Sequence, residues 1–354
     1  MRKIFFVLTF LTALCVTAQT EVNSFLSGSN EGVTYYLPDT RIDITVEAVC
    51  ISSTPGEFNR YAERYLRINN AIQEATEQWS INNITVGEAG VPAADKMFTI
   101  RLNNSSASNI VLNNEGIIAA INREPAAAMT PLQSSTSVNT RPDARQYMTE
   151  EMLQATSTAK LAELVAKEIY VVRESKLAIT RGTAENMPRD GQAMQLVLDE
   201  LNKQEQAYME LFTGYSDTIV HTFTFSIMPE AENCDTTRAV LFRFSRKMGV
   251  LSSDNLAGEP VYYNLKDLKT VEVPSAEELA ERRTLKKEGI CYNVPGRARI
   301  DIYTRGRNFI SKEISLAQLG TTEILAKNLF NRSNKTKVLF NTATGGIISI
   351  VKED

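Results

Sequence analysis

The chain holds one histidine, His221, one tryptophan, Trp79, and four cysteines, Cys15, Cys50, Cys234 and Cys291. A Ser-His-Asp relay would have to run through His221, because no other imidazole exists to carry the proton. That residue opens a run, His221 to Ile227, in which Thr222, Thr224 and Ser226 alternate with larger side chains, a setting that suits a histidine packed on a strand. A zinc site of several histidines is excluded by the count. The strings G-x-S-x-G, H-E-x-x-H, G-x-G-x-x-G and the phosphate loop ending in Gly-Lys-Ser/Thr are all absent. Carboxylate-pair hydrolysis needs only two acids about 5 to 9.5 Å apart, and 42 acidic residues leave that open. The adjacent pairs Glu150-Glu151 and Glu277-Glu278 would point to different sides of a helix and read as solvated. No catalytic residue, metal site or cofactor is therefore assigned.

Ligand binding has one candidate residue. The broad face of Trp79 could stack on a sugar, although a half-buried packing role is the simpler reading. Cys50, Cys234 and Cys291 lack metal-ligand spacing. One disulfide with a spare thiol and three buried thiols fit equally well.

The elements that would position these residues divide by hydrophobic period. Between Thr149 and Gly214 the period is helical: Leu161, Leu164, Val165, Ile169 and Val172 share one side, with Glu163 and Lys167 as an i,i+4 ion pair on another. Met194, Val197, Leu198, Leu201, Tyr208, Leu211 and Phe212 repeat the stripe, with Pro188 stopping any earlier helix, Asp190 placed to cap the new one and Gly214 to end it. The pair predicts an antiparallel helical hairpin over 149–214. Before it, strand signals at Val33 to Leu37, Ile42 to Val49, Ile81 to Val86, Met97 to Leu102 and Ile117 to Ile121, with a short helix at Tyr61 to Ile68, predict a small mixed domain over 22–130. A segment rich in Ala, Ser, Thr and Pro over 131–148 predicts a linker or long loop. After Gly214 the period becomes two. Candidate strands at His221 to Ile227, Ala239 to Phe244, Pro260 to Leu265, Lys269 to Val273, Ile290 to Val294, Arg299 to Tyr303, Phe309 to Leu316, Lys337 to Phe340 and Ile347 to Val351, interrupted by a charged helical insertion at Ala276 to Glu288, predict an antiparallel β-sandwich or barrel-like domain over 215–354. The expected fold class is α+β, organised around the central hairpin.

Met1 to Ala18 has the form of a secretion signal. Arg2 and Lys3 supply the positive start, Ile4 to Leu14 the apolar centre and Val16-Thr17-Ala18 the small-residue exit. The mature chain is expected to begin at Gln19, without a lipid on Cys15, because Leu14 is too large for a lipidation site. No later run reaches the roughly 20 apolar residues of a membrane helix. A net charge of -4, with 43% hydrophobic and 23% charged residues over 354, describes ordinary globular domains. Basic residues interleaved with aromatics are missing, so nucleic acid is not an expected partner.

The strings GVTYYLPDT (Gly32 to Thr40), YAERYL (Tyr61 to Leu66), AELVAKEIYVVRES (Ala162 to Ser175), PRDGQAM through ELFTG (Pro188 to Gly214), SLAQLG (Ser315 to Gly320) and NTATGGIISI (Asn341 to Ile350) occur in this order. Together they resemble an uncharacterised family of Bacteroidetes secreted proteins, classed as a domain of unknown function. The resemblance implies export to the envelope, in the periplasm, at the outer membrane or outside the cell. It carries no assigned activity and no catalytic residue. Asp217-Thr218-Ile219 and Asp235-Thr236-Thr237 resemble the acidic-Thr-apolar sites that Bacteroidetes O-glycosylate, which makes Thr218 and Thr236 modification candidates. The reading that follows is a non-enzymatic envelope scaffold or interaction protein, partnered by an envelope protein or glycan. The alternative is a glycan-acting hydrolase or carbohydrate-binding module.

Overall fold

A computed structural model describes residues 33–100, 109–125, 141–185, 190–272, 277–278, 289–330 and 335–353. Half of the described residues lie in strands and a quarter in helices. The expected signal peptide, Cys15, Pro188 and most of the linker and the charged insertion lie outside the described residues.

The chain is built on its first strand. In β1 (Val33–Thr54) the side chains of Ile42, Ile44, Val46 and Ala48 have no exposure at all, while the residues between them are only partly covered. That is the period-two signature of a strand with one face in a core. It pairs antiparallel on one side with β2 (Thr76–Ile100) and on the other with β5 (Tyr215–Ile227). Pro38 does not end the strand. It stands at a register shift and faces Pro92 of β2, so neither proline interrupts a ladder that needs its missing N–H. The shift also changes the phase of burial, from Tyr35 and Leu37 before it to Thr40, Ile42 and Ile44 after it.

A second sheet runs β10 (Asn308–Ala326), β9 (Gly289–Tyr303), β8 (Glu259–Asp267), β6 (Thr236–Ser245) and β7 (Gly249–Leu251). It packs on the first through Ile42, Ile44, Val46, Ile84 and Val86 from one side and Phe242, Val261, Leu265, Ile300, Ile302 and Ile314 from the other. Phe225 stacks on Phe242 across this gap, ring centroids 5.0 Å apart. A third sheet, β12 (Ile347–Glu353), β11 (Lys335–Phe340), β4 (Ile118–Ile121) and β3 (Ile110–Leu112), closes over Tyr35, Leu37, Cys291 and Leu325.

This architecture corrects the expected fold class. Three antiparallel sheets replace a mixed domain, a central hairpin and a separate sandwich. The strands of two of the sheets come from distant parts of the chain: β1 and β2 with β5, and β3 and β4 with β11 and β12. The physical reason is that a period-two stripe states that one face is covered but not by what. The strand expected at Lys269 to Val273 is not formed over its described part, 269–272: Lys269 adopts φ 50, which no extended strand allows, and the residues after it are irregular.

Two long helices, α3 (Thr158–Arg181) and α4 (Gly191–Thr213), follow the short α1 (Ala62–Leu66) and α2 (Glu150–Leu153). They do not form the core of the molecule. Ser157 caps α3 by accepting from the Lys160 amide at 3.3 Å, and Gly182 ends it at φ 72; Asp190 caps α4 by accepting from the Ala193 amide at 2.7 Å. Their base forms a peripheral cluster with Phe58, Ala62, Leu164, Val165, Ile169, Tyr208 and Phe212. The C-terminal half of α3 and the N-terminal half of α4 extend beyond that cluster, tied by Glu205 to Arg173 at 2.6 Å and to Lys176. Burial pushes the Glu205 carboxyl up, but the hydrogen bonds and charges of Lys176 and Arg173 outweigh it and leave it lowered overall.

Candidate functional site

Arg141 marks the point where three pieces of chain meet. A 3-10 turn, Ala144–Tyr147, follows it, with Asp143 accepting from the Arg145 amide at 3.0 Å. Glu210 stands in the last turn of α4, and Tyr215 begins β5 immediately after Gly214, whose φ of 73 turns the chain from helix to strand. The last carbonyls of α4 do not need water. Leu211 accepts from the Phe58 amide at 2.7 Å and Thr213 from the Ile72 amide at 2.9 Å.

The Arg141 guanidinium lies 3.7 Å over the Tyr215 ring. It donates to the Asp217 carboxylate and to the Ser216 carbonyl, the latter at 3.4 Å, and its Nε is 4.0 Å from Glu210. Two clefts share this post. One, of about 510 Å³, runs between Gly56, Glu57, Arg145 and Met148; the other, of about 650 Å³, lies between Gln146, Tyr147, Lys203 and Gln206. At the rim of the second, Tyr147 donates to Glu200 at 2.9 Å; that bond raises the phenol and lowers the carboxyl. Such walls can hold a polar ligand by hydrogen bonds. Their central cation is already engaged by two carboxylates and an aromatic face, so the post is better suited to joining lobes than to catalysis.

Trp79 and His221 lie elsewhere, on the inner side of the first sheet. Their rings are 4.8 Å apart, and Phe223 follows at 6.4 Å from His221. A Cβ at Gly249 would stand 2.8 to 3.1 Å from three ring carbons of Trp79, so β7 covers a face of the indole. The Trp79 amide also donates to the Arg246 carbonyl at 2.8 Å. Trp79 is half-buried and holds the β6–β7 turn against the sheet. Thr218 is exposed on β5 opposite Ile51, whereas Thr236 is half-buried, 3.4 Å from the Cys234 carbonyl. Cys50, Cys234 and Cys291 are buried and form no disulfide among the described residues. Cys234 and Cys291 belong to different cores. Among the described residues no group of three or more His, Cys, Asp or Glu is placed to hold a metal ion.

With this geometry in view, the sequence matches, over residues 31–348, the family described as Domain of unknown function (DUF4831). The chain belongs to the DUF4831 family. No curated protein and no solved structure matches it. The DUF4831 match takes in nearly all of the described fold, including both long helices and all three sheets. Sequence reasoning passed over Arg141, Glu210 and Tyr215, and met Asp217 only as the neighbour of Thr218. Nothing in their local pattern joins them, because the contacts span about 70 residues of chain, from Arg141 to Glu210 and Asp217.

Another set was also invisible. Asn293, 1% exposed, donates from Nδ2 to the Pro38 carbonyl at 3.0 Å and the Thr344 carbonyl at 2.9 Å. Thr40 donates to Ala343 at 2.9 Å and accepts from the Ala317 amide at 3.1 Å. The string NTATGG, which looked like a simple hairpin turn, is thus clamped into the β1 bulge and joins the third sheet to the sandwich.

Proposed function

We propose that this DUF4831 protein is an exported, non-enzymatic interaction protein of the Bacteroidetes cell envelope, in which the sandwich is a scaffold and the far ends of α3 and α4 meet a partner protein. The observation that carries this reading is the exposed apolar surface of those ends. Val171 and Leu177 of α3 are about half exposed and Leu196 of α4 is 71% exposed. The ends extend beyond the cluster that holds their base, which leaves both helices accessible. Export rests on the sequence of Met1 to Ala18, and cleavage after Ala18 removes none of the described residues. Among those residues, no helix is long and apolar enough to cross a membrane. Thr218 is an accessible O-glycosylation candidate in this setting, and the intact mass of protein from its native host tests it: an unmodified mature mass removes the modification.

The test of the interaction is photo-crosslinking from Val171 and Leu196 in the native host, followed by identification of the adduct. One reproducible envelope partner is expected, lost when Leu196→Glu and Val171→Glu are combined. Cytoplasmic full-length protein, or no adduct from either position, would sink the proposal.

A further inference from the structure

The two clefts beside the Arg141 post share a wall. Arg141, Pro142, Asp143, Glu210 and Tyr215 line both, so the post divides a single groove rather than separating two sites. At about 510 and 650 Å³, each part falls within the roughly 300–1,000 Å³ typical of small-ligand sites. Such sites are mostly apolar, and the larger of these two is not: its wall includes Asp143, Gln146, Lys203, Gln206 and Glu210.

These groups are only partly used by the protein. Gln206 spends Nε2 on Glu210 at 2.9 Å, which leaves its carbonyl oxygen to accept. Asp143 spends Oδ1 on the Arg145 amide at 3.0 Å and keeps Oδ2. Lys203 has three protons to donate and one long contact, 3.4 Å to Glu200. The exposed carboxamide of Gln146 makes no hydrogen bond among the described residues. The backbone beneath is fixed beforehand. Tyr208 donates its hydroxyl to the Tyr147 carbonyl, and the two rings meet edge-on with centroids 6.4 Å apart. A wall held in place before binding loses little freedom when a ligand arrives.

Charge then selects the ligand class. Arg141 and Lys203 stand against Asp143 and Glu210, so the formal charges of this wall cancel. An anion would meet two carboxylates and a cation two cations. An apolar ligand would strip water from polar groups and leave them unpaired. A neutral ligand dense in hydroxyls avoids all three costs, because each hydroxyl both donates and accepts, and its C–H faces can pack on the Tyr147 and Tyr215 rings. We propose that this groove binds a neutral oligosaccharide, with Asp143, Gln146, Lys203 and Gln206 hydrogen-bonded to its hydroxyls. Arg145 and Glu57 offer a further donor and acceptor in the smaller part, so a chain of several sugars crosses the post. The groove is distinct from the far ends of α3 and α4 and from Trp79, and it does not depend on the partner protein proposed above.

The experiment uses the mature chain with a panel of cello-, malto-, xylo-, manno- and chito-hexaoses, read by saturation-transfer NMR and calorimetric titration. Oligogalacturonate and an uncharged soluble peptide serve as comparators. At least one neutral oligomer should bind, and Gln146→Ala combined with Gln206→Ala should weaken it at least tenfold, the loss of two hydrogen bonds, at unchanged thermal midpoint. Both side chains are exposed, so the double variant should fold; Lys203→Met, expected to weaken binding several-fold, is a second check. Trp79→Phe should leave binding unchanged, which separates this groove from a platform at Trp79. Silence across the neutral panel, preference for oligogalacturonate or the peptide, full binding by the double variant, or loss confined to Trp79→Phe would each overturn the proposal. A crosslinked partner at Val171 or Leu196 with no oligosaccharide bound would sink the groove alone, and oligosaccharide binding with no adduct would sink the partner surface alone.

Discussion

Replacing Asn293 by Ala tests whether the clamp at the β1 bulge joins the third sheet to the sandwich. The substitution removes the two hydrogen bonds from Nδ2, and the long one that Oδ1 accepts from Thr322 at 3.5 Å, and leaves the buried carbonyls of Pro38 and Thr344 without that donor. An unsatisfied buried polar group costs about 1–3 kcal/mol, so the loss should be about 3–4 kcal/mol, a large part of the roughly 5–15 kcal/mol that holds a domain together. Equilibrium urea unfolding reads this as a midpoint lowered by about 1 M at unchanged slope. Hydrogen exchange should at the same time show faster exchange across β11 and β12 than in the centre of β1. Asn293→Asp supplies the sign. Its carboxyl would face two carbonyl oxygens, so folding raises its pKa above the about 3.9 of an exposed aspartate. A group with a raised folded pKa contributes stability that is present at low pH and lost as pH rises through that value. This variant should therefore regain stability relative to wild type on acidification, which Asn293→Ala should not. A loss under about 1 kcal/mol for Asn293→Ala, too small for two orphaned buried acceptors, would refute the reasoning, as would uniform exchange across the three sheets.

Three further outcomes are expected. The lowered carboxyl of Glu205 contributes stability above its unfolded pKa, about 4.3, and loses it as pH falls through the lower folded value; Glu205→Gln should cost about 1 kcal/mol near neutrality and abolish the acid loosening, read by exchange in α3 and α4. Burial, helped by Asp267 and Asp235, pushes the Cys234 thiol up to about 11, so Cys50, Cys234 and Cys291 should resist a maleimide in the native protein and react in urea; rapid native labelling would contradict their burial. Trp79→Ala should lower stability by about 2 kcal/mol and loosen the β6–β7 turn, whereas an exposed sugar platform would lose glycan binding with stability unchanged.

The two helices were legible because their signals are local. The stripe Leu164, Val165, Ile169, Val172 repeats within one element, and the caps at Asp190 and Gly214 act within a turn of the residues they serve. β1 was legible only in pieces. Pro38 looks like a strand boundary when read alone, and becomes a bulge only because Pro92 faces it across the sheet. The Arg141 post and the Asn293 clamp were not legible at all. Each depends on partners far apart along the chain, and their residue types carry no special spacing.

The amino-acid sequence by itself determined where helix gives way to strand, which side of each element is apolar, and that no metal site of several histidines can form. These follow from periodicity, capping and composition, which involve neighbours within a few positions. Tertiary structure alone decided that β1 pairs with β5 beyond the helices, that β3 and β4 pair with the distant β11 and β12, and that the bulge of β1 is clamped by Asn293 and Thr40. Strand pairing is a contest among all compatible partners, settled by burial over the whole molecule, and the one-face pattern that every strand advertises does not name the winner.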